Sequence, residues 1–143
     1  MKLRTSAKIN LNLEIFSEKQ DSLHKLSSLM IPIDIYDDIE IEESINEGIK
    51  FSDTNLNTIE STIHKALKLI RKNNPSFDKS FDIYIDKKIP YNSGLGGGSS
   101  DAAAVICYLC ENYGLDLPSN LEMVLEVGSD AVSYTHLTLP TSI

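Results

Sequence analysis

Four glycines fall within the five residues Gly94-Leu95-Gly96-Gly97-Gly98, and Ser99 and Ser100 follow at once. No other feature of the chain limits its fold so sharply. The segment before them, SFDIYIDKKI, alternates through Phe81, Ile83 and Ile85 and predicts a strand. The segment after them predicts a helix that begins near Ser99, runs to Tyr113 and is ended by Gly114. A strand, a glycine-rich turn and a helix therefore follow in direct succession. Glycine lets the backbone take φ > 0 and approach a ligand with no Cβ in the way. Successive N–H groups can point into one concavity, and the helix start adds about half a positive charge. Such a site favours phosphate. A merely flexible connection would not need to sit at a helix N-terminus with two hydroxyls in its first turn. The loop is not a Walker A loop, because no Lys follows its last glycine. Nor is it the dinucleotide G-x-G-x-x-G, which would need glycine where Ser99 stands.

The rest of the chain reads as mixed strands and helices. Residues 5–14 alternate, with Ala7, Ile9, Leu11 and Leu13 on one face and Lys8, Asn10, Asn12 and Glu14 on the other. After the polar stretch SEKQDS, the alternation of Ile31, Ile33, Ile35, Ile39 and Ile41 predicts one long strand or two short ones. A turn is expected at Asn46–Gly48, then a short strand GIKFS. Residues 57–72 predict an amphipathic helix through Ile59, Ile63, Ala66, Leu67 and Ile70, opened by an Asn57/Glu60 capping box and stopped by Asn73-Asn74-Pro75. His64 falls on the polar side of that helix, where solvation is expected. Ser119 and Glu122, after Pro118, predict a second capping box that opens a short helix, LEMVLEV, closed by Gly128. With no internal repeat and one strand–loop–helix unit, the expected class is α+β.

Lys plus Arg number 13 and Asp plus Glu 21, a formal net charge of −8. An acidic chain without a basic run is a poor partner for nucleic acid or an anionic membrane. No stretch approaches 18 consecutive apolar residues and no signal peptide is read, so the cytosol is the expected compartment. Cys107 and Cys110 have C-x-x-C spacing but sit inside the apolar run AAAVICYLCENY, which predicts core packing rather than redox chemistry. Two thiols alone do not complete a zinc site.

Three segments carry a family resemblance: SAKINLNL near the N-terminus, PYNSGLGGGSSDAAA in the middle, and Gly128-Ser129-Asp130. Together, over positions 5 to about 130, they resemble the GHMP kinase superfamily. The resemblance implies a strand-and-helix N-terminal domain, similar to domain 2 of a small-subunit ribosomal protein. In the members, that domain faces a C-terminal domain across the active-site cleft. The run Gly94–Ala104 most resembles the branch of the superfamily that serves non-mevalonate isoprenoid biosynthesis. There, ATP with Mg²⁺ phosphorylates the 2-hydroxyl of 4-diphosphocytidyl-2-C-methyl-D-erythritol (diphosphocytidyl methylerythritol). Matched position by position, Lys8 and Asp130 take the places of the catalytic pair. Pro90, Tyr91, Asn92, Ser93, Gly94, Leu95, Gly96, Gly97, Gly98, Ser99 and Ser100 take those of the ATP loop. Asn10 and His24 match positions near the substrate, with the histidine at the cytosine; no residue matches a metal ligand. These residue types suit phosphoryl transfer, which needs in-line positioning and charge neutralisation more than covalent help. Asp130 can accept the hydroxyl proton, and Lys8 can hold that carboxylate ionised. Taken singly, Lys8 reads as a solvated strand lysine and Asp130 as a turn residue; their occurrence with the loop gives them the other reading.

The match has gaps. The family places an aromatic before the substrate histidine, whereas this chain has Leu23, which cannot stack on a base. Ser61-Thr62 stands where the family has an Asn-Leu pair near the adenine. After Asp130 the sequence AVSYTHLTLPTSI departs from the family pattern and resembles translated adapter sequence. The expectation is a domain over 1–130, a foreign tail over 131–143, and no C-terminal domain. Two rivals stay open: a superfamily kinase acting on homoserine or mevalonate, and a non-catalytic nucleotide-binding module.

Overall fold

The computed structural model describes residues 1–20, 23–91, 93, 95–116 and 141–142, with the side chains of 10–30, 141 and 142 left aside. Strand β1 runs Lys2–Gln20, β2 Leu23–Ser44, β3 Gly48–Phe51, β4 Ser80–Asp86 and β5 Thr141–Ser142. Helix α1 spans Thr62–Asn73 and α2 Gly97–Tyr113. The sheet order is β3-β4-β2-β1-β5. Neighbours pair antiparallel except β3 and β4, which are parallel and joined by a crossover through α1. The expected α+β class holds, and β2 is one long strand.

Period-two alternation decides which sheet face is covered. Ile39 and Ile41 of β2 lie opposite Ile85 and Ile83 of β4. All four are fully buried, while Glu40, Asp82 and Tyr84 between them are exposed. Ile63 and Leu67 of α1 and Val105 and Leu109 of α2 pack on the buried face. Each such side chain contributes roughly 1.5–3 kcal/mol relative to its exposed state. A second cluster joins the helices themselves through Ala66, Leu69, Ile70, Ala102, Ile106 and Cys110. Cys107 and Cys110 are buried and unbridged, as core packing requires. Burial pushes both thiols up, that of Cys110 to about 11, so neither is poised to react.

Two expectations fail at α1. The helix starts at Thr62, not at residue 57, because Thr54–Thr58 forms a separate 3-10 turn capped by Asp53. Asn57 turns back instead and accepts the Phe51 N–H at 2.8 Å, so it cannot cap α1. Glu60 pairs outward with Lys68 at 2.5 Å, and Ile59 is largely exposed. The working cap is Ser61 with His64, whose Nδ1 accepts the Ser61 N–H at 3.0 Å. His64 is thus a capping residue and is half-buried. The alternation also puts Lys8 on the wrong face. A register shift between Ser6 and Ala7 breaks the pattern, and both Ala7 and Lys8 are buried. The LEMVLEV helix and its capping box lie outside the described residues.

Candidate functional site

The strand–loop–helix unit forms as expected, with α2 starting at Gly97, slightly before the predicted Ser99. The loop is held at both ends. Ser93 Oγ donates to the Pro90 carbonyl at 2.7 Å and accepts the Leu95 N–H at 3.3 Å. The Leu95 carbonyl accepts the Lys8 N–H at 2.9 Å, which fastens the loop to β1. Gly96 then takes φ 73° and ψ 18°, a left-handed conformation that disfavours any residue with a Cβ. It is the N-cap of α2, and among the described residues no side chain caps the first turn. The first intrahelical amide–carbonyl link from this cap runs from the Ser100 N–H to the Gly96 carbonyl at 2.9 Å. The amides of Gly97, Gly98 and Ser99 therefore stand where a helix has no internal partner for them.

Beneath this turn lies a buried ionic network that the sequence reading did not anticipate. Lys87, the first residue after β4, donates through Nζ to Asp37 Oδ2 at 2.5 Å and Asp101 Oδ2 at 3.0 Å. The other Asp37 oxygen accepts the N–H groups of Lys88 at 2.7 Å and Ile89 at 2.8 Å. The other Asp101 oxygen accepts Thr5 Oγ1–H at 2.7 Å. Burial drives the Asp101 carboxyl well above the usual carboxylate range, with Asp37 adding to the effect and Lys87 opposing it. Burial works against the Lys87 ammonium, but Asp101 and Asp37 outweigh it and its pKa is raised. The signals were present in outline: Asp101 is the one charge in an otherwise small and apolar helical stretch, and Lys87 stands three residues before Pro90.

Beside the loop opens a cavity of about 110 Å³. Phe51, Leu56, Ile59 and Tyr91 form its apolar side; Lys65, Gly98 and Asp101 face it from the helices and Lys87 from the end of β4. Its α1 wall is fixed to the loop helix, because Thr62 Oγ1 donates to the Gly98 carbonyl at 2.8 Å. An apolar slot bordering a helix start with no side-chain cap among the described residues suits a ligand with a flat organic part and an anionic part.

The structure brings the Lys8 backbone to this loop. Asn10 lies on β1 opposite Met30, and His24 on β2 opposite Lys19, each placed by backbone register alone. Asn92, Gly94 and Asp130 lie outside the described residues. Among the described residues no group of three or more His, Cys, Asp or Glu could hold a metal ion. Asp37 is engaged by Lys87 and two backbone amides, and Asp101 by Lys87 and Thr5, so the described residues do not fit a protein-held Mg²⁺.

These features define a class. Residues 61–137 match the family model for the GHMP kinases N terminal domain, and the chain belongs to that family. Among curated relatives, it is 35% identical over 135 residues to a protein of Clostridioides difficile, covering 91% of this chain and 45% of the relative. It is 38% identical over 131 residues to one of Pseudothermotoga lettingae, covering 89% and 46%. Both relatives are named 4-diphosphocytidyl-2-C-methyl-D-erythritol kinase. The chain spans about half the length of the curated relatives it matches. A crystal structure of 4-(cytidine 5'-diphospho)-2C-methyl-D-erythritol kinase superposes with a TM-score of 0.71 at 28% identity, over 94% of this chain and 48% of that one. A mevalonate kinase structure, at TM-score 0.60 and 19% identity over 93% and 47%, shares the fold.

Proposed function

We propose that this chain is the nucleotide-binding half of a small-molecule kinase that transfers the γ-phosphoryl group of ATP to the 2-hydroxyl of 4-diphosphocytidyl-2-C-methyl-D-erythritol. The observation that carries the reading is the uncapped first turn of α2, entered through left-handed Gly96. Its first-turn amides and the helix dipole would hold the phosphates, and the neighbouring apolar cavity would take the base. Lys8, buried against the loop, would steady the reacting hydroxyl; Asp130 would accept its proton. Asn10 and His24 would face the acceptor, the histidine at the cytosine. Mg²⁺ would arrive on the nucleotide. The relatives' shared name supports the acceptor, and the proposed setting is cytoplasmic isoprenoid biosynthesis. No helix among the described residues is long and apolar enough to cross a membrane.

The test is phosphoryl transfer from labelled ATP by the protein at the full length of its relatives. Three acceptors are offered: the diphosphocytidyl compound, homoserine and mevalonate. Labelled product from the first alone is expected. Turnover of either of the others in its place would reassign the acceptor. ATP binding without turnover of any would leave a non-catalytic nucleotide-binding module.

A further inference from the structure

We propose that Lys87 is a positioning residue for the nucleotide. Its ammonium bridges Asp37 and Asp101 beneath Gly97 and fixes how the first turn of α2 offers its amides. The inference rests on reading the loop as a phosphate site.

The network ties the loop helix to three strands of the sheet. Thr5 belongs to β1, Asp37 to β2, Lys87 to the exit of β4, and Asp101 to the opening of α2. All four oxygens of the two carboxylates are engaged, by Thr5, by Lys87 twice, and by the Lys88 and Ile89 amides. The side chains of Lys87, Asp37 and Asp101 are 6%, 0% and 2% exposed. Burial on this scale is a weak source of stability, because desolvating three charges offsets much of their attraction. What it does supply is geometry. A rigid fork cannot shift without breaking several charged hydrogen bonds at once.

Gly97 shows how close the coupling is. A Cβ added there would lie 2.9 Å from Lys87 Nζ and 2.7 Å from Ile89 Cγ2. The ammonium thus passes directly under a backbone that has no room for a side chain. Its charge matters as well. Two carboxylates sit under a turn assigned to bind anions, and Lys87 is the cation placed between them. Removing it would unpin the turn and leave negative charge below the phosphates.

The test uses the full-length enzyme and four variants: Lys87→Met, Asp101→Leu, Asp101→Asn and Thr5→Val. It measures the KM for ATP, the KM for the alcohol acceptor, kcat and the Kd for ADP. Lys87→Met and Asp101→Leu should raise the ATP KM and ADP Kd by about tenfold to a hundredfold, the scale of an ångström-sized misplacement. The acceptor KM should change by less than about threefold, as the acceptor does not sit on this turn. Asp101→Asn can still accept from Lys87 and donate to Thr5, so it should recover most of what Asp101→Leu loses. Equal losses in both KM values with no recovery by Asn would mark a purely structural network and overturn the proposal. If the two disruptive variants fail to fold, the near-isosteric Thr5→Val decides. It should weaken ADP roughly threefold by freeing one Asp101 oxygen, and unchanged ADP affinity would overturn the proposal. Failure of the unaltered enzyme to bind ADP would sink the phosphate reading and this inference together. ADP bound equally by every folded variant would sink this inference alone.

Discussion

The backbone N–H of Lys8 donates to the carbonyl of Leu95 at 2.9 Å, so the first strand and the glycine loop are joined through main-chain atoms. This bond does not depend on the Lys8 side chain. The ammonium and the tether can therefore be separated by substitution. That separation gives the first expectation.

Lys8→Met keeps the N–H, the unbranched stem and the burial of the site. In the full-length enzyme it should lower kcat by about a hundredfold, the low end of what a disabled general base costs, because the cation that keeps Asp130 ionised is gone. The ADP Kd should move by less than about threefold, because the loop remains tethered. Steady-state kinetics with isothermal titration will check both, and an unchanged kcat would remove the Lys8 ammonium from the chemistry.

The two glycines at the helix start should respond differently to a methyl group. Gly96→Ala forces a Cβ into a left-handed conformation, at a cost of about 1–2 kcal/mol. Gly97→Ala meets Ile89 and the Lys87 ammonium, an overpacking that costs about 1–3 kcal/mol. Urea unfolding of both variants reads the stability. ADP titration should show Gly97→Ala weakened more, since relief of its clash moves Lys87. Wild-type stability in either variant would contradict the geometry described.

Asp101 sets a pH dependence with a definite sign. Burial raises its pKa in the folded chain, so between the ordinary carboxylate range and that raised value the folded state binds more protons than the unfolded one. Stability from this group must then fall as pH rises. Lys87, with its raised pKa, contributes stability that is fully present below its ordinary value and lost only at alkaline pH. Asn at 101 cannot titrate. The stability of Asp101→Asn relative to the parent should therefore climb with pH above about 4 and level off below it. Urea midpoints across pH 3–8 will show this, and a difference independent of pH would refute it.

The sheet and the loop were legible in sequence because each has a local cause. Alternation fixes which face of β2 and β4 is buried, and the glycine run has few uses between a strand and a helix. Lys8 escaped that logic, because its burial comes from a register shift and a loop far along the chain. The α1 cap escaped it for a related reason. Asn57 and Ser61 both suit an N-cap by residue type, and only the long-range bond from the Phe51 N–H to Asn57 removes the first from competition. The network of Thr5, Asp37, Lys87 and Asp101 joins four elements, so no window of sequence contains it.

The cap itself is open to test. Ser61 Oγ accepts the His64 N–H at 3.4 Å, and His64 Nδ1 returns the contact to the Ser61 N–H. Ser61→Ala should destabilise the chain by about 1 kcal/mol. Thr62, next in line, holds the Gly98 carbonyl, so fraying here should also loosen the wall of the cavity. Ser61→Asp, which restores an acceptor at a helix N-terminus, should recover the stability. A silent Ser61→Ala in thermal and urea unfolding would show that the neighbouring 3-10 turn alone fixes the start of α1.

Asp130 offers the sharpest separation of chemistry from binding. Its proposed work is to take the proton from the acceptor hydroxyl, a role that touches neither the loop amides nor the base cavity. Asp130→Asn keeps size and hydrogen-bonding capacity while removing the basic oxygen. In the full-length enzyme kcat should fall by roughly 10²–10⁴-fold, the usual yield of a general base. ADP binding should change little, because the turn that Gly96 opens is the proposed phosphate site. The remaining activity should also lose the acidic limb of its pH profile, since no carboxylate at this position is left to ionise. A variant that kept full kcat, or that lost ADP binding along with turnover, would place the base elsewhere and make Asp130 a residue of the binding surface.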